Sequence, residues 1–210
     1  MIGLCGSHRV GKTTLAKAYA EKAKIPFLET SVSAIYRELG YDPSVTYDFV
    51  TRLGIQEEIL KRLDREYAKY AGEQFITDRT PLDMIAYTLG DAIGDRAPEE
   101  SFDRLNQYIF DCYKCVNKRF GMILLIQPGI ELKDAPGKAA MNRAYIEHLN
   151  SLIFGLTVDE KLDTLHFYMP RSITTLDGRM SALSSAVDRC KVKTQEDLEL
   201  MRQTGNGYVH

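Results

Sequence analysis

The chain has 210 residues, of which 44% are hydrophobic and 27% charged, and its formal net charge is -2. These values are typical of one globular domain with an ample core, and they exclude a disordered, collagen-like or disulfide-dense chain. The near-neutral charge gives the whole protein no preference for polyanions. Few cysteines, no apolar run long enough to span a bilayer and no signal peptide together predict a cytoplasmic protein, in a bacterium or a phage-infected host.

Short apolar runs alternate with amphipathic stretches along the whole chain, and each run ends at a glycine, a proline or a polar residue. The predicted strands are at 1–5, 27–28, 74–77, 122–126 and 162–168. The predicted helices cover 12–24, 32–39, 46–71, 81–89, 99–120, 142–156 and 174–190. Strands that alternate with helices in this way indicate a parallel sheet with helices on both faces.

The predicted fold class is therefore α/β, a three-layer sandwich with a five-stranded parallel sheet, in a single domain over residues 1–193. A segment rich in Gly, Pro and Lys after the fourth strand, with the helix that follows it, predicts a mobile lid at about 128–156. Residues 194–210 are predicted to form a polar tail that frays. The C-x-x-C pair Cys112 and Cys115 lies in a helical pattern without a second pair at zinc spacing, which favours two packed thiols.

The first strand runs directly into a segment that matches the pattern G-x-x-x-x-G-K-[ST] in full. Its two glycines let successive backbone N–H groups face one anion, and the start of the next helix adds its positive end. A preceding strand and a following helix are the context that this motif requires. We therefore predict a nucleoside-triphosphate site in which Lys12 neutralises the β- and γ-phosphates and Thr13 binds Mg²⁺. The predicted ATP-binding residues are Gly6, Ser7, His8, Arg9, Val10, Gly11, Lys12, Thr13 and Thr14.

Polar residues follow the second and third strands, at the edge where parallel sheets bind their ligands. Asp78 is predicted to hold Mg²⁺ together with Thr13, and a helix cap is the alternative. Arg79 is predicted to bind a second phosphate, with pairing to a carboxylate as the alternative. Glu29 is positioned to accept the proton of an attacking hydroxyl, and a solvated turn residue is the alternative.

Two cations, Lys138 and Arg143, flank the start of the helix after the fourth strand. A loop bearing cations that closes over the transferred group is a common solution in phosphoryl transfer, and an ordinary surface loop is the alternative. Arg179, after the fifth strand, is a candidate contact to a base or ribose. The predicted catalytic residues are Lys12, Asp78, Arg79, Glu29 and Arg143.

The motif alone does not separate kinases from GTPases and motors. A GTPase needs D-x-x-G directly after the third strand, where this chain has D-R-T-P at 78–81. An AAA-type motor needs an apolar run that ends in paired acids, whereas Asp78 is one acid followed by a base. The remaining class is a compact kinase, monomeric or homodimeric.

The segments G-S-H-R-V-G-K-T-T at 6–14 and T-D-R-T-P-L-D at 77–83 resemble thymidylate-kinase-like P-loop kinases. The group includes nucleoside kinases, nicotinamide riboside kinases and phage nucleotide kinases. The resemblance covers most of residues 1–190. It implies the P-loop kinase fold, ATP and Mg²⁺ as cofactors, and transfer of the γ-phosphate to a hydroxyl of a deoxypyrimidine acceptor.

Two departures from thymidylate kinases concern the acceptor. Their R-E-P-G-G-like segment after the second strand is replaced here by E-T-S-V-S at 29–33, and their arginine-rich lid is reduced to Lys138 and Arg143. These departures favour a divergent acceptor, 5-hydroxymethyldeoxyuridine in DNA, as in phages that hypermodify thymine. A free deoxynucleoside monophosphate or a nucleoside is the alternative. A regulatory P-loop ATPase with no acceptor is the alternative of another class.

Overall fold

The computed structural model describes residues 1–43, 45–92, 97–132 and 141–204. The strands are β1 (Ile2–Cys5), β2 (Phe27–Leu28), β3 (Ile76–Thr77), β4 (Met122–Ile126) and β5 (His166–Met169). The helices are α1 (Lys12–Ala23), α2 (Val32–Glu38), α3 (Phe49–Ala68), α4 (Pro81–Asp91), α5 (Phe102–Arg119), α6 (Arg143–Thr157) and α7 (Leu176–Thr204). A short 3₁₀ helix, Glu99–Ser101, leads into α5.

The five strands form one parallel sheet in the order β2-β3-β1-β4-β5. Strand β1 is central, because Ile2 aligns with Ile76 of β3 on one side and with Met122 of β4 on the other. The predicted α/β class and five-stranded parallel sheet are confirmed. Since the strands are parallel, β1, β2 and β3 all end at the same edge, and the chain leaves them there at Gly6, Glu29 and Asp78.

Alternating side chains of the strands divide the core into two layers. In β4, Ile123 and Leu125 face the larger layer, which is built with helices α3, α4, α5 and α6. Met122, Leu124 and Ile126 face the smaller layer, which is built with α1 and α7. The sheet therefore lies between two helical layers, as the three-layer prediction requires.

Two element boundaries differ most from the prediction. Strand β5 begins later than expected because the side-chain oxygen of Asn117 accepts hydrogen bonds from the backbone N–H groups of Asp163 and Thr164, at 3.0 and 3.3 Å. Helix α7 continues to Thr204, far beyond the predicted end near residue 190. Residues 194–204 of the predicted tail are thus helical, and residues 205–210 lie outside the described part of the chain.

The thiols of Cys112 and Cys115 are buried in the larger core layer, and Cys115 donates to Asp64 at 3.6 Å. Among the described residues, no group of three or more His, Cys, Asp or Glu side chains is arranged to hold a metal ion. In the same ranges, no helix combines the length and the apolar character needed to cross a membrane.

Candidate active site

The predicted phosphate-binding segment forms a tight loop between β1 and α1. Gly6 and Gly11 have φ angles of 145° and 85°, and Arg9 also lies in the left-handed region with φ 62°. A side chain at Gly6 would collide with the carbonyl oxygen of Ile126 in β4. Gly11 is the N-cap residue of α1, so the helix begins directly at Lys12. Gly6 is thus required by both backbone angle and space, and Gly11 by backbone angle.

Lys12 lies in the hollow of this loop and is only 7% exposed. Its ammonium group donates to the backbone carbonyls of Gly6 and Ser7, the latter at 2.8 Å, and lies 3.6 Å from Oδ1 of Asp83. Burial lowers the pKa of Lys12, and the charge of Asp83 opposes that shift. The loop therefore contains one buried cation whose contacts are backbone oxygens and a carboxylate.

Thr13 and Asp78, the predicted Mg²⁺ pair, are in direct contact. The Thr13 hydroxyl donates to Oδ2 of Asp78 at 2.5 Å, and the N–H of Thr30 donates to Oδ1 at 3.4 Å. The alternative role of Asp78 as a helix cap is excluded, because the N-cap of α4 is Thr80. Two hard oxygen ligands beside a phosphate-binding loop suit Mg²⁺, which takes few protein ligands and completes its shell with phosphates and water.

Asp83 is a site residue that the sequence analysis missed. It is fully buried and accepts from the backbone N–H of Gly6 at 3.1 Å, and from the N–H and hydroxyl of Thr80 at 2.9 and 3.0 Å. The sequence signal was the spacing T-P-L-D, a capping box with proline at the first helical position. That signal predicts a helix start, but it does not show that the capping carboxylate also reaches Gly6 and Lys12.

Arg79 lies beside a group of rings at the mouth of the loop. Its guanidinium is 5.6 Å from the ring centroid of Tyr87, and the Tyr87 hydroxyl is 3.0 Å from Nδ1 of His8. The His8 ring centroid is also 5.8 Å from that of Tyr145 in α6. Burial raises the pKa of Tyr87 to about 12. The P-loop and the segment after β3 are therefore connected through α4.

A second polar cluster lies further from the loop, between helices α2, α3, α4 and α6. Arg52 of α3 and Asp91 of α4 form an ion pair whose side chains are 35% and 19% exposed. Burial raises the pKa of both Tyr36 and Tyr145. Both hydroxyls also interact electrostatically with Arg52 and Asp91. The cluster meets the P-loop at Tyr145, since that ring also packs against His8.

The remaining predicted catalytic residues lie at the margin of the site. Arg143 is exposed on the rim of a cleft of 480 Å³ that Arg9 also lines. Glu29 directly follows β2, but its carboxylate is 58% exposed and 3.4 Å from the ammonium of Lys17. The structure thus brings Arg143 and Arg9 to one cleft, whereas the roles of Arg143 and Glu29 stay predictions. Lys138 lies outside the described residues.

Arg179 has a role that differs from the predicted base or ribose contact. It is 4% exposed, and it donates from Nη1 to the carbonyl of Val10 at 2.6 Å and from Nε to that of Ile173 at 2.9 Å. Burial lowers the pKa of its guanidinium. Arg179 therefore fixes the backbone of the phosphate-binding loop from α7.

We expect Arg179→Met to destabilise the protein by about 2–4 kcal/mol, because it leaves two backbone carbonyls without a charged donor. Nucleotide affinity should fall as well, since the loop loses its anchor at Val10. Urea unfolding measures the first effect and calorimetric titration with a nucleoside triphosphate measures the second. Arg171→Met is the matched control: Arg171 forms a half-exposed pair with Glu147, and its loss should cost less than about 1 kcal/mol. Equal losses in the two variants would contradict the anchoring role.

The central parallel sheet, the P-loop and the adjoining Thr13 and Asp78 define the class of this chain, which has the fold of the P-loop kinases. Within the P-loop proteins it belongs to the family AAA_28, described as an AAA domain, which matches residues 1–128. The fold predicted from the resemblance to thymidylate-kinase-like proteins is confirmed. A search of curated protein sequences gave no match.

Solved structures with this fold include several kinases. Deoxyadenosine kinase from M. mycoides with bound dCTP has a TM-score of 0.61 and 15% identity, over 90% of this chain and 98% of that one. Thymidylate kinase from Candida albicans has a TM-score of 0.64 and 15% identity, over 90% and 91%. The NadR protein in complex with NAD and AMP-PNP has a TM-score of 0.56 and 17% identity, over 90% of this chain and 48% of that one. At these identities the likeness is one of fold.

Proposed function

We propose that this protein is an ATP-dependent kinase that transfers the γ-phosphate to a hydroxyl of a nucleoside or nucleotide. The observation that carries the proposal is the adjacency of a complete P-loop and a second polar cluster, which meet where Tyr145 packs against His8. A kinase needs such an arrangement, because the acceptor hydroxyl must come into line with the terminal phosphate. The fold shared with deoxyadenosine and thymidylate kinases supports the same proposal.

On the donor side, the loop amides and Lys12 bind the triphosphate. Lys12 exchanges its contacts with the carbonyls of Gly6 and Ser7 for phosphate oxygens, so the buried ammonium keeps oxygen partners throughout. Thr13 and Asp78 hold Mg²⁺, which, when bound, neutralises charge on the β- and γ-phosphates. Arg9 and Arg143, at the rim of one cleft, are placed to stabilise negative charge on the transferred group.

On the acceptor side, Arg79 binds and orients the incoming molecule, and either Glu29 or Asp78 accepts the proton of its hydroxyl. The ion pair Arg52–Asp91 presents donors and acceptors side by side, which suits the hydrogen-bonding edge of a nucleobase. An exposed ion pair would contribute little, but a partly buried one at a helix junction discriminates between correct and incorrect edges.

The narrower acceptor predicted from the sequence is 5-hydroxymethyldeoxyuridine in DNA, in phage thymidine hypermodification. Because the polar cluster lies between four helices, a base within a duplex would have to leave its stack to enter it. The net charge of -2 also gives no support to binding a polyanion. We therefore place free nucleosides and monophosphates first and keep the modified DNA as a separate acceptor to be tested.

Transfer from γ-labelled ATP in the presence of Mg²⁺ tests the proposal. The acceptors are free deoxynucleosides, their monophosphates, and duplex DNA with and without 5-hydroxymethyluracil. We expect label in a free nucleoside or nucleotide, and label in the modified DNA alone would select the narrower acceptor. Hydrolysis with no labelled acceptor would overturn the kinase in favour of a P-loop ATPase, the second candidate, which the family description of an AAA domain favours.

Asp78→Asn is expected to raise the Mg²⁺ concentration for half-maximal activity about 10- to 100-fold. The amide keeps the shape of the side chain but removes the charge beside the Thr13 hydroxyl. A Mg²⁺ titration at saturating ATP measures the change. Asp159→Asn, at an exposed turn before β5, is the control and should leave the titration unchanged. An unchanged midpoint in Asp78→Asn would remove this carboxylate from the metal site.

A further inference from the structure

Tyr87 occupies an unusual position on α4. From Pro81 to Gly90 every residue of this helix is buried except Tyr87 and Leu89, which are partly exposed. The helix begins two residues after Arg79, so Tyr87 stands about two turns above the end of β3, over the mouth of the site. Tyr87 therefore lies between the candidate site on one side and the buried part of its own helix on the other.

The Tyr87 side chain contacts functional residues on both sides of the site. Its hydroxyl is 3.0 Å from Nδ1 of His8, within the phosphate-binding loop, and is also hydrogen-bonded to the side chain of Arg79. The ring lies under the guanidinium of Arg79, with 5.6 Å between that group and the ring centroid. Because burial raises the pKa of Tyr87 to about 12, the hydroxyl stays protonated near neutral pH and the ring remains an uncharged platform.

Both contacted residues stand next to groups that the proposed reaction uses. His8 is 9% exposed and precedes Arg9, whose backbone is in the left-handed region with φ 62°. The contact between Tyr87 and His8 therefore lies next to a residue whose backbone conformation is uncommon for a non-glycine residue. Arg79 follows Asp78 directly, so the platform under its guanidinium also determines where the acceptor-side cation points.

We propose that Tyr87 is a positioning residue that sets the phosphate-binding loop and Arg79 relative to each other. Its hydroxyl acts on the ATP side through His8 and on the acceptor side through Arg79, which the ring also supports. This inference rests on the proposed kinase function. It predicts that loss of one hydroxyl weakens the binding of both substrates.

The test compares Tyr87→Phe with Tyr87→Leu. Tyr87→Phe removes only the hydroxyl, so we expect the Kd for ATP and the acceptor KM each to rise about 3- to 10-fold, the range for one hydrogen bond. Tyr87→Leu also removes the ring under Arg79, so its acceptor KM should rise about 2- to 5-fold further. Calorimetric titration with ATP gives the Kd, and the labelled transfer assay gives the KM.

Two controls separate positioning from general loss of structure. Tyr113→Phe removes another buried tyrosine hydroxyl, which donates to the carbonyl of Leu156 between α5 and α6, and should leave both constants unchanged. A double-mutant cycle with His8→Ala tests the route of the effect. If the hydroxyl acts through His8, Tyr87→Phe should cost no further ATP affinity in the His8→Ala background.

The inference is overturned if Tyr87→Phe binds ATP like the wild type, if its cost adds fully to that of His8→Ala, or if Tyr87→Phe leaves the acceptor KM at the wild-type value. A wild-type protein that binds ATP but labels no acceptor would contradict the kinase function instead. In that case the calorimetric double-mutant cycle still shows whether the hydroxyl acts on ATP binding through His8. The part of the inference that concerns the acceptor would be contradicted together with the kinase function.

Discussion

Lys12→Ala is expected to lower phosphate transfer by about 10²- to 10³-fold, the usual loss when one preorganised charge donor is removed from a transition state. Lys12 is the buried cation at the centre of the loop, 7% exposed and surrounded by oxygen atoms. Its charge acts at low dielectric, and water that replaces it cannot neutralise the β- and γ-phosphates equally well. The labelled transfer assay measures the loss.

The same substitution must leave the fold intact for that result to be informative. Lys12→Met keeps the apolar stem that fills the loop and serves as the second variant, and circular dichroism with thermal unfolding checks both proteins. Lys22→Ala is the matched control, because Lys22 lies in the last turn of the same helix and its side chain is exposed. Near-normal transfer by a folded Lys12→Ala protein would exclude the proposed phosphate site.

The sequence was sufficient to predict those parts of the site that are local along the chain. The P-loop is contiguous and its glycines have positive φ, so its spacing alone specifies a strand, a tight loop and a helix. Asp78 was predictable because it follows a buried strand, and parallel strands deliver their carboxyl ends to one edge. The Thr13–Asp78 contact then follows from the position of β3 next to β1.

Contacts between distant segments were not predictable in the same way. Arg179 binds the carbonyl of Val10 across 169 positions of sequence, and no local pattern shows which cation of the last helix reaches the loop. The ion pair Arg52–Asp91 joins two helices whose relative packing depends on the whole core. In the sequence, a single charged residue of this kind cannot be distinguished from an ordinary surface residue, because its partner comes from a distant segment.

The prediction of where the last helix ends was wrong for a different physical reason. Helix α7 was expected to end near Cys190 because the following residues are polar, yet no glycine or proline interrupts the chain between residues 179 and 204. Polar residues with long side chains are good helix formers, and the pair Lys193–Asp197, at 2.7 Å and i,i+4 spacing, adds local support. Polar residues indicate that a segment is exposed to solvent, whereas a glycine or a proline indicates where a helix ends.

Asp83→Ala is expected to destabilise the protein by about 3–5 kcal/mol, the usual cost of removing one partner from a buried ion pair. Asp83 is fully buried, and its carboxylate accepts from the Gly6 N–H and from two donors of Thr80. It also faces Lys12 at 3.6 Å. The substitution therefore leaves a buried cation without its carboxylate and loosens the start of both the P-loop and α4.

Urea unfolding of Asp83→Ala and Asp48→Ala provides the comparison that isolates this effect. Asp48 is also a carboxylate that caps a helix, accepting from the N–H of Thr51 at 2.9 Å, but it is exposed and has no buried cation beside it. Its loss should cost about 1 kcal/mol, the ordinary value for an N-cap. If the two variants unfolded at the same urea concentration, Asp83 would be a helix cap and nothing more. A much larger loss for Asp83, partly restored in Asp83→Asn, which keeps an acceptor oxygen, would show that one buried carboxylate organises both the helix start and the phosphate-binding lysine.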